Sequence, residues 1–159
     1  MDSQDTKPYR LGVNALIFDH DNNFLVIQKL AYKDNEWNFL GGGRDDGETL
    51  EENLFRELHE ELGVMKNTFE IIGISSHKIQ YDYPPELAVK VNGGKFRGQS
   101  YDQVILKYNG DKNDLVFSPE EFKKHMWVSP QDLRTHLVFP NQYSDHKKAI
   151  DEILPGLLE

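Results

Sequence analysis

Glutamates crowd the segment between residues 48 and 61. Glu57, Glu60 and Glu61 stand at i, i+3 and i+4, so in a helix their carboxylates project from neighbouring positions of one face. Like charges at this spacing cost about 0.2–0.5 kcal/mol per pair, which a bound cation would offset. Mg²⁺ takes oxygen ligands of this kind and keeps waters and substrate phosphates in its shell. A glutamate-rich helix can equally carry a solvated acidic face, so these residues alone leave both interpretations open.

The residues around these glutamates form a longer pattern. It runs as glycine, five residues, glutamate, seven residues, then Arg-Glu-apolar-any-Glu-Glu-any-Gly-apolar. Its seven fixed identities would arise by chance at roughly one position in 10⁸ at average residue frequencies. The pattern is similar to the signature of the Nudix hydrolase superfamily. Its positions in this chain are Gly42, Glu48, Arg56, Glu57, Leu58, Glu60, Glu61, Gly63 and Val64.

Parts of the pattern have a physical rationale of their own. Glycines let the backbone turn closely before the helix, so that a carbonyl of Gly41 or Gly42 can face a metal ion. Arg56 has a permanent charge on a fork-shaped group and can hold a carboxylate in position, with Glu48 as the expected partner and a surface salt bridge as the alternative. Metal ions would neutralise phosphate oxygens and lower the pKa of a bound water, so hydrolysis needs no protein nucleophile and no redox cofactor.

The resemblance to Nudix hydrolases implies a fold, a reaction and a set of site residues. The implied fold is of the α/β (α+β) class, an α/β/α sandwich around a mixed β-sheet. The implied reaction is hydrolysis of a phosphoanhydride bond in a nucleoside-diphosphate-linked substrate, with Mg²⁺ as cofactor and Mn²⁺ as the alternative. The implied catalytic residues are Arg56, Glu57, Glu60, Glu61 and Glu121, and the implied metal ligands are Gly42, Glu57, Glu60, Glu61 and Glu121.

Two of these implied roles stay open at the level of sequence. Glu60 is implied either as a metal ligand or as the general base. Glu121 lies outside the signature, where a loop would supply it to complete the metal site or to activate water. Glu120 adjoins it, so a shift of one residue is the alternative.

Segments outside the signature are similar to one branch of the superfamily, the bacterial RNA 5′ pyrophosphohydrolases and dinucleoside polyphosphate hydrolases. This similarity implies a dinucleoside polyphosphate or the 5′-triphosphate end of RNA as substrate. Leu40-Gly41 departs from the Pro-Gln of that branch, which keeps a nucleoside-diphosphate-sugar or (d)NTP pyrophosphatase open. A catalytically silent nucleotide-sensing module is the alternative from another class. The similar segments are Tyr9-Arg10, Trp37-Asn38-Phe39, residues 81–99 with Pro84 and Gly98-Gln99, Glu121-Phe122 and Trp127-Val128-Ser129.

Four residues are candidates for substrate binding. The resemblance implies phosphate or nucleotide contacts for Arg10 and Gln99, whose alternatives are a surface cation and an ordinary strand residue. Phe139 and Tyr143 are aromatic residues of the C-terminal part and could stack on a base, which contributes about 1–3 kcal/mol per base. Core packing is the alternative for these two rings.

A helix is predicted to carry the glutamates. Apolar residues recur every four positions through residues 49–62, and Gly63 follows where a C-cap would stand, so the segment predicts an amphipathic helix. The recurring residues are Leu50, Leu54, Leu58 and Leu62.

Further elements must place this helix and its glycines. Residues 11–18 and 24–28 are apolar runs separated by a polar turn, which predicts a hairpin. Residues 37–40 alternate briefly, and the glycines and polar residues from Gly41 to Gly47 predict a sharp bend. Other predicted elements are strands over residues 69–74, 104–108 and 125–128, a long connection over residues 83–98, a helix from Ser129-Pro130 to about residue 136, and a closing helix over residues 145–154.

Bulk properties narrow the functional classes. The chain has 159 residues, which suits a single domain, predicted here as residues 9–159 after a polar leader over residues 1–8. It has no cysteine, which excludes disulfides, thiolate zinc sites and a cysteine nucleophile. The net charge of −9 disfavours coating of a DNA duplex. No stretch approaches the roughly 18 apolar residues that would span a bilayer, so we expect a cytoplasmic protein with no membrane partner, and the oligomeric state stays open.

Overall fold

The computed structural model describes residues 6–159, so residues 1–5 of the predicted leader lie outside the described part of the chain. The strands within these residues are β1 (Tyr9–Phe18), β2 (Phe24–Lys29), β3 (Leu40–Gly43), β4 (Phe69–Ile74), β5 (Ile79–Asp82), β6 (Gly98–Tyr108) and β7 (Phe122–Val128). The α-helices are α1 (Leu50–Leu62), α2 (Pro85–Ala88), α3 (Leu133–His136) and α4 (Gln142–Ile153).

The strands form one mixed sheet. Its order is β4-β6-β1-β2-β7, with β3 also paired to β1 and β5 to β6. β1 and β6 are parallel, from Tyr9 opposite Gly98 to Phe18 opposite Lys107, whereas the other pairs are antiparallel. The parallel pair joins segments that are distant in sequence and forms the centre of the sheet. The mixed sheet and the β1–β2 hairpin that the sequence predicts are confirmed.

Apolar side chains cover both faces of this sheet. On one face, Leu54, Leu58 and Leu62 of α1 are fully buried in a cluster with residues of β1, β2 and β6. On the other face, Leu133 of α3 and Ile150 of α4 belong to a second cluster. Burying each such side chain contributes about 1.5–3 kcal/mol. The predicted α/β/α sandwich is confirmed, and α1 is held rigidly over one face. None of the helices formed by residues 6–159 is both long enough and apolar enough to cross a membrane.

Local signals set both ends of α1. The Thr49 hydroxyl accepts from the Glu52 backbone N–H at 3.2 Å, and the Glu52 carboxylate accepts from the Thr49 N–H at 2.9 Å, which is a reciprocal capping box. Gly63 ends the helix with φ of 68°, a left-handed conformation that favours glycine. The predicted helix over residues 49–62 and its glycine C-cap are confirmed.

The glycine segment differs from the sequence prediction. Residues 41–43 are predicted as a sharp bend, but they form most of β3, which pairs with β1 from Gly43 opposite Gly12 to Leu40 opposite Ala15. A Cβ on Gly41 would lie 2.2 Å from the Val13 carbonyl oxygen. The glycines therefore allow β3 to approach β1 closely. The bend comes later, in residues 44–49.

Other boundaries also differ. The strand predicted over residues 104–108 begins at Gly98 because its first half pairs with β1 and β5. The strand predicted over residues 125–128 begins at Phe122. The long connection over residues 83–98 contains the short helix α2. The predicted helix after Ser129 is split into a 3₁₀ turn and α3, and the Ser129 side chain makes no capping hydrogen bond. α4 begins at Gln142, three residues before the predicted start, because Tyr143 alone gives no helical spacing of apolar residues in its first turn.

Candidate active site

The end of α1 brings two glutamates to the edge of β3. Glu61 is 4% exposed and the Glu57 side chain is 14% exposed, whereas the Glu60 side chain is 55% exposed. The three glutamates of the sequence pattern are therefore not equivalent. Glu57 and Glu61 face the sheet edge, and Glu60 lies on the solvent side of the same helix.

Glu57 and Glu61 lie within hydrogen-bonding reach of each other. Burial raises the pKa of both carboxyl groups, and for Glu61 the nearby Glu57 and Glu121 add to this effect, so that its pKa rises to about 9. Two buried carboxyl groups in contact need a shared proton or a cation between them. Glu61 Oε1 is also buried without a hydrogen-bond partner. An oxygen-binding cation would satisfy both the pair and this atom.

Arg56 holds the carboxylate that precedes the helix. Its Nε donates to Glu48 Oε2 at 2.6 Å and its Nη2 donates to Glu48 Oε1 at 2.9 Å, so the predicted pairing of Arg56 with Glu48 is confirmed. Hydrogen bonds from Arg56 lower the pKa of Glu48 to about 2. The same guanidinium donates to Glu57 Oε1 at 2.9 Å and to the Gly43 carbonyl at 2.9 Å. Arg56 thereby orients Glu57 and joins β3 to α1.

Gly42 lies directly under the glutamate pair. A Cβ at this position would stand 2.3 Å from Glu57 Cδ, so only a glycine leaves room for the carboxylate. Asn53, which is fully buried, donates through Nδ2 to the Gly43 carbonyl at 3.1 Å and more weakly to the Gly42 carbonyl at 3.4 Å. Sequence analysis missed Asn53, although a polar residue directly before the buried Leu54 of an amphipathic helix was a usable signal.

Glu121 lies next to Glu61. The two residues line a small cavity of about 210 Å³ together with Lys29, Gly41 and Phe122. Glu120 does not line it, so the structure places Glu121 rather than its neighbour at the glutamate pair. Lys29, at the end of β2, is a cation that sequence analysis missed, because a single lysine at the end of a strand carries no pattern.

A larger cavity of about 630 Å³ begins at the same place. It shares Lys29, Gly41, Glu61 and Phe122 with the small cavity and extends to α4. Its other lining residues are Asn14, Ile27, Tyr32, Asn38, Phe39, Leu40, Gly42, Ile79, Gln80, Tyr81, Gln99, Tyr101, Phe139, Pro140, Asn141, Gln142, Asp145 and His146. Glu61 therefore lines one part of the cavity, whereas the rest is lined mainly by aromatic and amide side chains, with Asp145 and His146 contributed by α4.

Some of the candidate substrate-binding residues line the large cavity and others do not. Phe139 lines the large cavity and packs edge to face on Tyr32, with ring centroids 5.2 Å apart. Gln99 also lines it and accepts from the Tyr81 hydroxyl at 2.9 Å. Tyr143 does not line the cavity and packs against the second apolar cluster instead. Tyr143 is the second residue of α4, and its ring contributes to the packing of this cluster.

Arg10 lies beside the cavity rather than in it. It stands opposite Gln99 in the β1–β6 pair, and its guanidinium occupies the space over Gly43, where an added Cβ would lie 2.3 Å from Arg10 Cζ. This places a cation over β3, one residue along the strand from Gly42 and on the opposite side of it.

The residues present fit a divalent cation only in part. Within residues 6–159, no group of three or more acidic or histidine side chains is already arranged around a common point. Mg²⁺ is commonly bound by one or two carboxylates and completes its shell with water and substrate phosphates. The contact between Glu57 and Glu61 and the unpartnered Glu61 oxygen match that mode.

The chain is similar to known proteins over nearly its whole length. The model of the NUDIX domain family matches residues 8–153. An RNA pyrophosphohydrolase of Novosphingobium aromaticivorans is 34% identical over 149 residues, covering 91% of this chain and 92% of that protein. An RNA pyrophosphohydrolase of Sphingopyxis alaskensis is 30% identical over 157 residues, covering 98% of this chain and 99% of that protein.

Solved structures show the same fold at lower identity. A binary complex of the Ap4A hydrolase of C. elegans superposes with a TM-score of 0.62 at 19% identity, covering 86% of this chain and 93% of that one. The dihydroneopterin triphosphate pyrophosphohydrolase of E. coli gives a TM-score of 0.67 at 15% identity, covering 93% of this chain and 99% of that one.

Proposed function

We propose that this chain, which belongs to the NUDIX family and is a Nudix hydrolase, acts on the 5′-triphosphate end of RNA or on a dinucleoside polyphosphate. The observation that carries the proposal is the continuity of the large cavity, which runs from Glu61 to the aromatic pair Tyr32 and Phe139. A nucleotide suits the two ends of this cavity. Its anionic phosphates can bind a metal ion held at Glu61, and its base presents a flat face that can stack on the aromatic pair. The RNA pyrophosphohydrolases, about 30% identical over nearly the whole chain, support the same substrate class.

The glutamate pair is the proposed metal site. The family generally uses a divalent metal ion, and Glu57, Glu61 and the Gly42 carbonyl would hold Mg²⁺ or Mn²⁺ here, with Glu121 beside them. Such an ion neutralises phosphate oxygens and lowers the pKa of a bound water. Glu60 is exposed on the same helix, which suits a group that accepts a proton from water better than it suits a buried ligand.

Other side chains would bind and orient the substrate. Lys29 lies at the junction of the two cavities, where it can meet a phosphate oxygen. Arg10, over Gly43, can contact the next phosphate group of the substrate. Phe139 offers a ring in the cavity for a base, and Gln99 an amide. Arg56 touches Glu48 and Glu57 and acts by positioning them.

We also propose that residues 9–159 form one domain. The family model spans residues 8–153, and β1, at the start of this range, is the central partner of β6, β2 and β3. Removal of β1 would open both apolar clusters, and removal of α4 would open the second.

A substrate panel tests the proposed function. Triphosphorylated RNA, a dinucleoside tetraphosphate, a sugar nucleotide and free nucleoside triphosphates are incubated with the protein and Mg²⁺, and released phosphate and pyrophosphate are measured. We expect the RNA end or the dinucleoside tetraphosphate to be hydrolysed fastest. Faster hydrolysis of sugar nucleotides or free triphosphates would instead establish the alternative pyrophosphatase activity.

The variant Glu61→Gln tests the assignment of the metal site. It keeps the shape of the side chain and removes the charge, so kcat should fall at least about 10²-fold, in line with the loss of a major electrostatic contribution to catalysis. Glu51→Gln removes a carboxylate from the first turn of the same helix, outside the site, and should keep its activity. Full activity of Glu61→Gln would contradict the proposed site, and absence of turnover in the unaltered protein would favour a nucleotide-sensing module.

A further inference from the structure

A buried pair of polar side chains lies at the end of the large cavity away from the glutamates. Gln103 of β6 is 0% exposed and His146 of α4 is 3% exposed. His146 Nδ1 lies 2.7 Å from Gln103 Oε1, and the imidazole packs edge to face on Phe39 with ring centroids 4.8 Å apart. His146 also lines the cavity. The proposed metal site does not involve either residue.

The hydrogen bonds of Gln103 fix the orientation of its amide. Nε2 donates to the His77 carbonyl at 2.9 Å and to the Asp145 carbonyl at 3.2 Å. The opposite orientation would set the amide oxygen against two carbonyl oxygens, where it can form no hydrogen bond. Gln103 Oε1 therefore faces His146 and can only accept.

This orientation fixes the tautomer of His146. Because Gln103 Oε1 accepts, His146 Nδ1 carries a proton and donates it. Burial lowers the pKa of His146 to about 3, so the ring is neutral near pH 7. A neutral ring with its proton on Nδ1 has a lone pair on Nε2, which makes Nε2 a hydrogen-bond acceptor.

The lone pair on Nε2 has no donor within residues 6–159, since the one hydrogen bond of the ring is made by Nδ1. The atom is not among the side-chain nitrogen and oxygen atoms that are sealed from solvent without a partner. Because His146 lines the cavity, a ligand bound there can supply the donor that the protein does not.

We propose that His146 accepts a hydrogen bond through Nε2 from an amino group of the substrate's base and thereby determines which bases the enzyme prefers. The inference rests on the proposed function, because it takes the ligand of the cavity to be a nucleotide. A phosphate group is mostly deprotonated at neutral pH and is a poor donor to this nitrogen, and Asp145, which also lines the cavity, disfavours an anion there. The base is the part of a nucleotide that combines N–H donors with a flat face for Phe139.

Pairs of ligands that differ by one amino group provide the test. ATP is compared with purine riboside 5′-triphosphate, which lacks the 6-amino group, and GTP is compared with ITP, which lacks the 2-amino group. Binding is followed by NMR of protein with ¹⁵N-labelled histidine, with divalent metal chelated so that no hydrolysis occurs. For at least one pair, we expect the amino ligand to bind about five- to tenfold more tightly and to shift the Nε2 resonance of His146 upfield, with a smaller shift for its analogue.

A variant separates the role of Nε2 from general packing. His146→Phe keeps a ring beside Phe39 and removes the acceptor, so the amino ligand and its analogue should bind equally well. His125→Phe is the matched control, because His125 stacks on Phe117 and does not line the cavity, and this variant should keep the preference. If His146→Phe does not fold, the NMR measurement on the unaltered protein still decides the question.

Two outcomes overturn different proposals. Nucleotides that bind without any preference in either pair, or that leave the Nε2 resonance unmoved, would overturn the role of His146 and leave the proposed hydrolase intact. A protein that binds no nucleotide at all, and hydrolyses none when Mg²⁺ is restored, would overturn the proposed function itself.

Discussion

Glu61 is subject to two opposite requirements. Its carboxyl group is 4% exposed, and burial beside Glu57 favours the protonated form. Binding of a cation requires the ionised form, because a protonated carboxyl group has lost its charge. The burial of this proposed metal ligand therefore makes the metal-free folded state sensitive to pH.

This conflict predicts a decrease in stability with rising pH in the metal-free protein. The folded-state pKa of Glu61, about 9, lies above the ordinary glutamate pKa of 4.5, so between these values the folded state holds a proton that the unfolded state has released. Stability from this group is complete below about pH 4.5 and decreases as the pH rises towards 9. Denaturant unfolding in the presence of a chelator, from pH 5 to 9, measures it.

The variant Glu61→Gln isolates the contribution of this one group. Glutamine is neutral at every pH, so the variant should lose most of the pH-dependent decrease and exceed the unaltered protein in free energy of unfolding near pH 9. Glu60→Gln, which changes an exposed carboxylate on the same helix, is the control and should keep the decrease. A decrease of equal size in Glu61→Gln would show that another group causes it.

At the scale of elements, the proposed metal site depends on how closely α1 approaches β3. Gly42 leaves room for the Glu57 carboxylate and Gly43 leaves room for the Arg10 guanidinium. The two glycines are adjacent in one strand, so their side-chain positions point to opposite sides and meet different functional groups. Paired substitutions can therefore separate the metal site from the proposed phosphate site.

Gly42→Ala should mainly lower kcat, because the new Cβ would stand 2.3 Å from Glu57 Cδ and displace the carboxylate. Gly43→Ala should mainly raise KM, because its Cβ would stand 2.3 Å from Arg10 Cζ and displace the proposed phosphate contact. Steady-state kinetics on the preferred substrate of the panel measures both. The same change in kcat and KM for the two variants would contradict the division of roles.

The ends of the helices provide a matched test of stability. Thr49→Ala removes the hydroxyl of the capping box and should cost about 1 kcal/mol in free energy of unfolding. Ser129→Ala is the comparison, since its side chain makes no capping hydrogen bond, and we expect a change within about 0.5 kcal/mol. Denaturant unfolding of both variants measures the difference, and an equal loss would contradict the capping geometry.

Local signals account for what the sequence predicted at this scale. α1 was predictable from its leucine spacing, its glutamates and Gly63, all within one segment. β3 was not, because Gly41 becomes a strand residue only through its pairing with β1, a partner more than twenty residues away. For the same reason the cavity could not be predicted, since Lys29, Glu61 and His146 meet there from three distant segments.

At the scale of the whole molecule, the parallel pairing of β1 with β6 connects the proposed phosphate site to the base end of the cavity. It places Arg10 opposite Gln99 and continues to Asn14 opposite Gln103. Gln103 in turn fixes His146 on α4. This pair of strands thus sets the distance between the Arg10 guanidinium and His146. If both residues bind the substrate as proposed, that distance also limits the length of the substrate between them.

The net charge of −9 limits how the protein can hold an RNA substrate. Under the proposed function, the terminal phosphates and the first nucleotides reach Lys29 in the cavity and Arg10 beside it, and the RNA beyond them meets an acidic molecule. We therefore predict that kcat/KM for triphosphorylated RNA changes less than about threefold between lengths of about 3 and about 20 nucleotides. Two phosphate contacts also imply a shallow dependence on salt, with a log–log slope of about −1.4.

Steady-state kinetics over a range of NaCl concentrations tests this, with a dinucleoside tetraphosphate as control because it would meet the same two cations and should give the same slope. A slope steeper than about −4, or a rate that rises steadily with RNA length, would mean that a basic track outside the cavity binds the RNA. Such a result would contradict recognition by the end of the substrate alone, which is the form of recognition expected of an acidic protein whose substrate-binding cations lie at the large cavity and beside it.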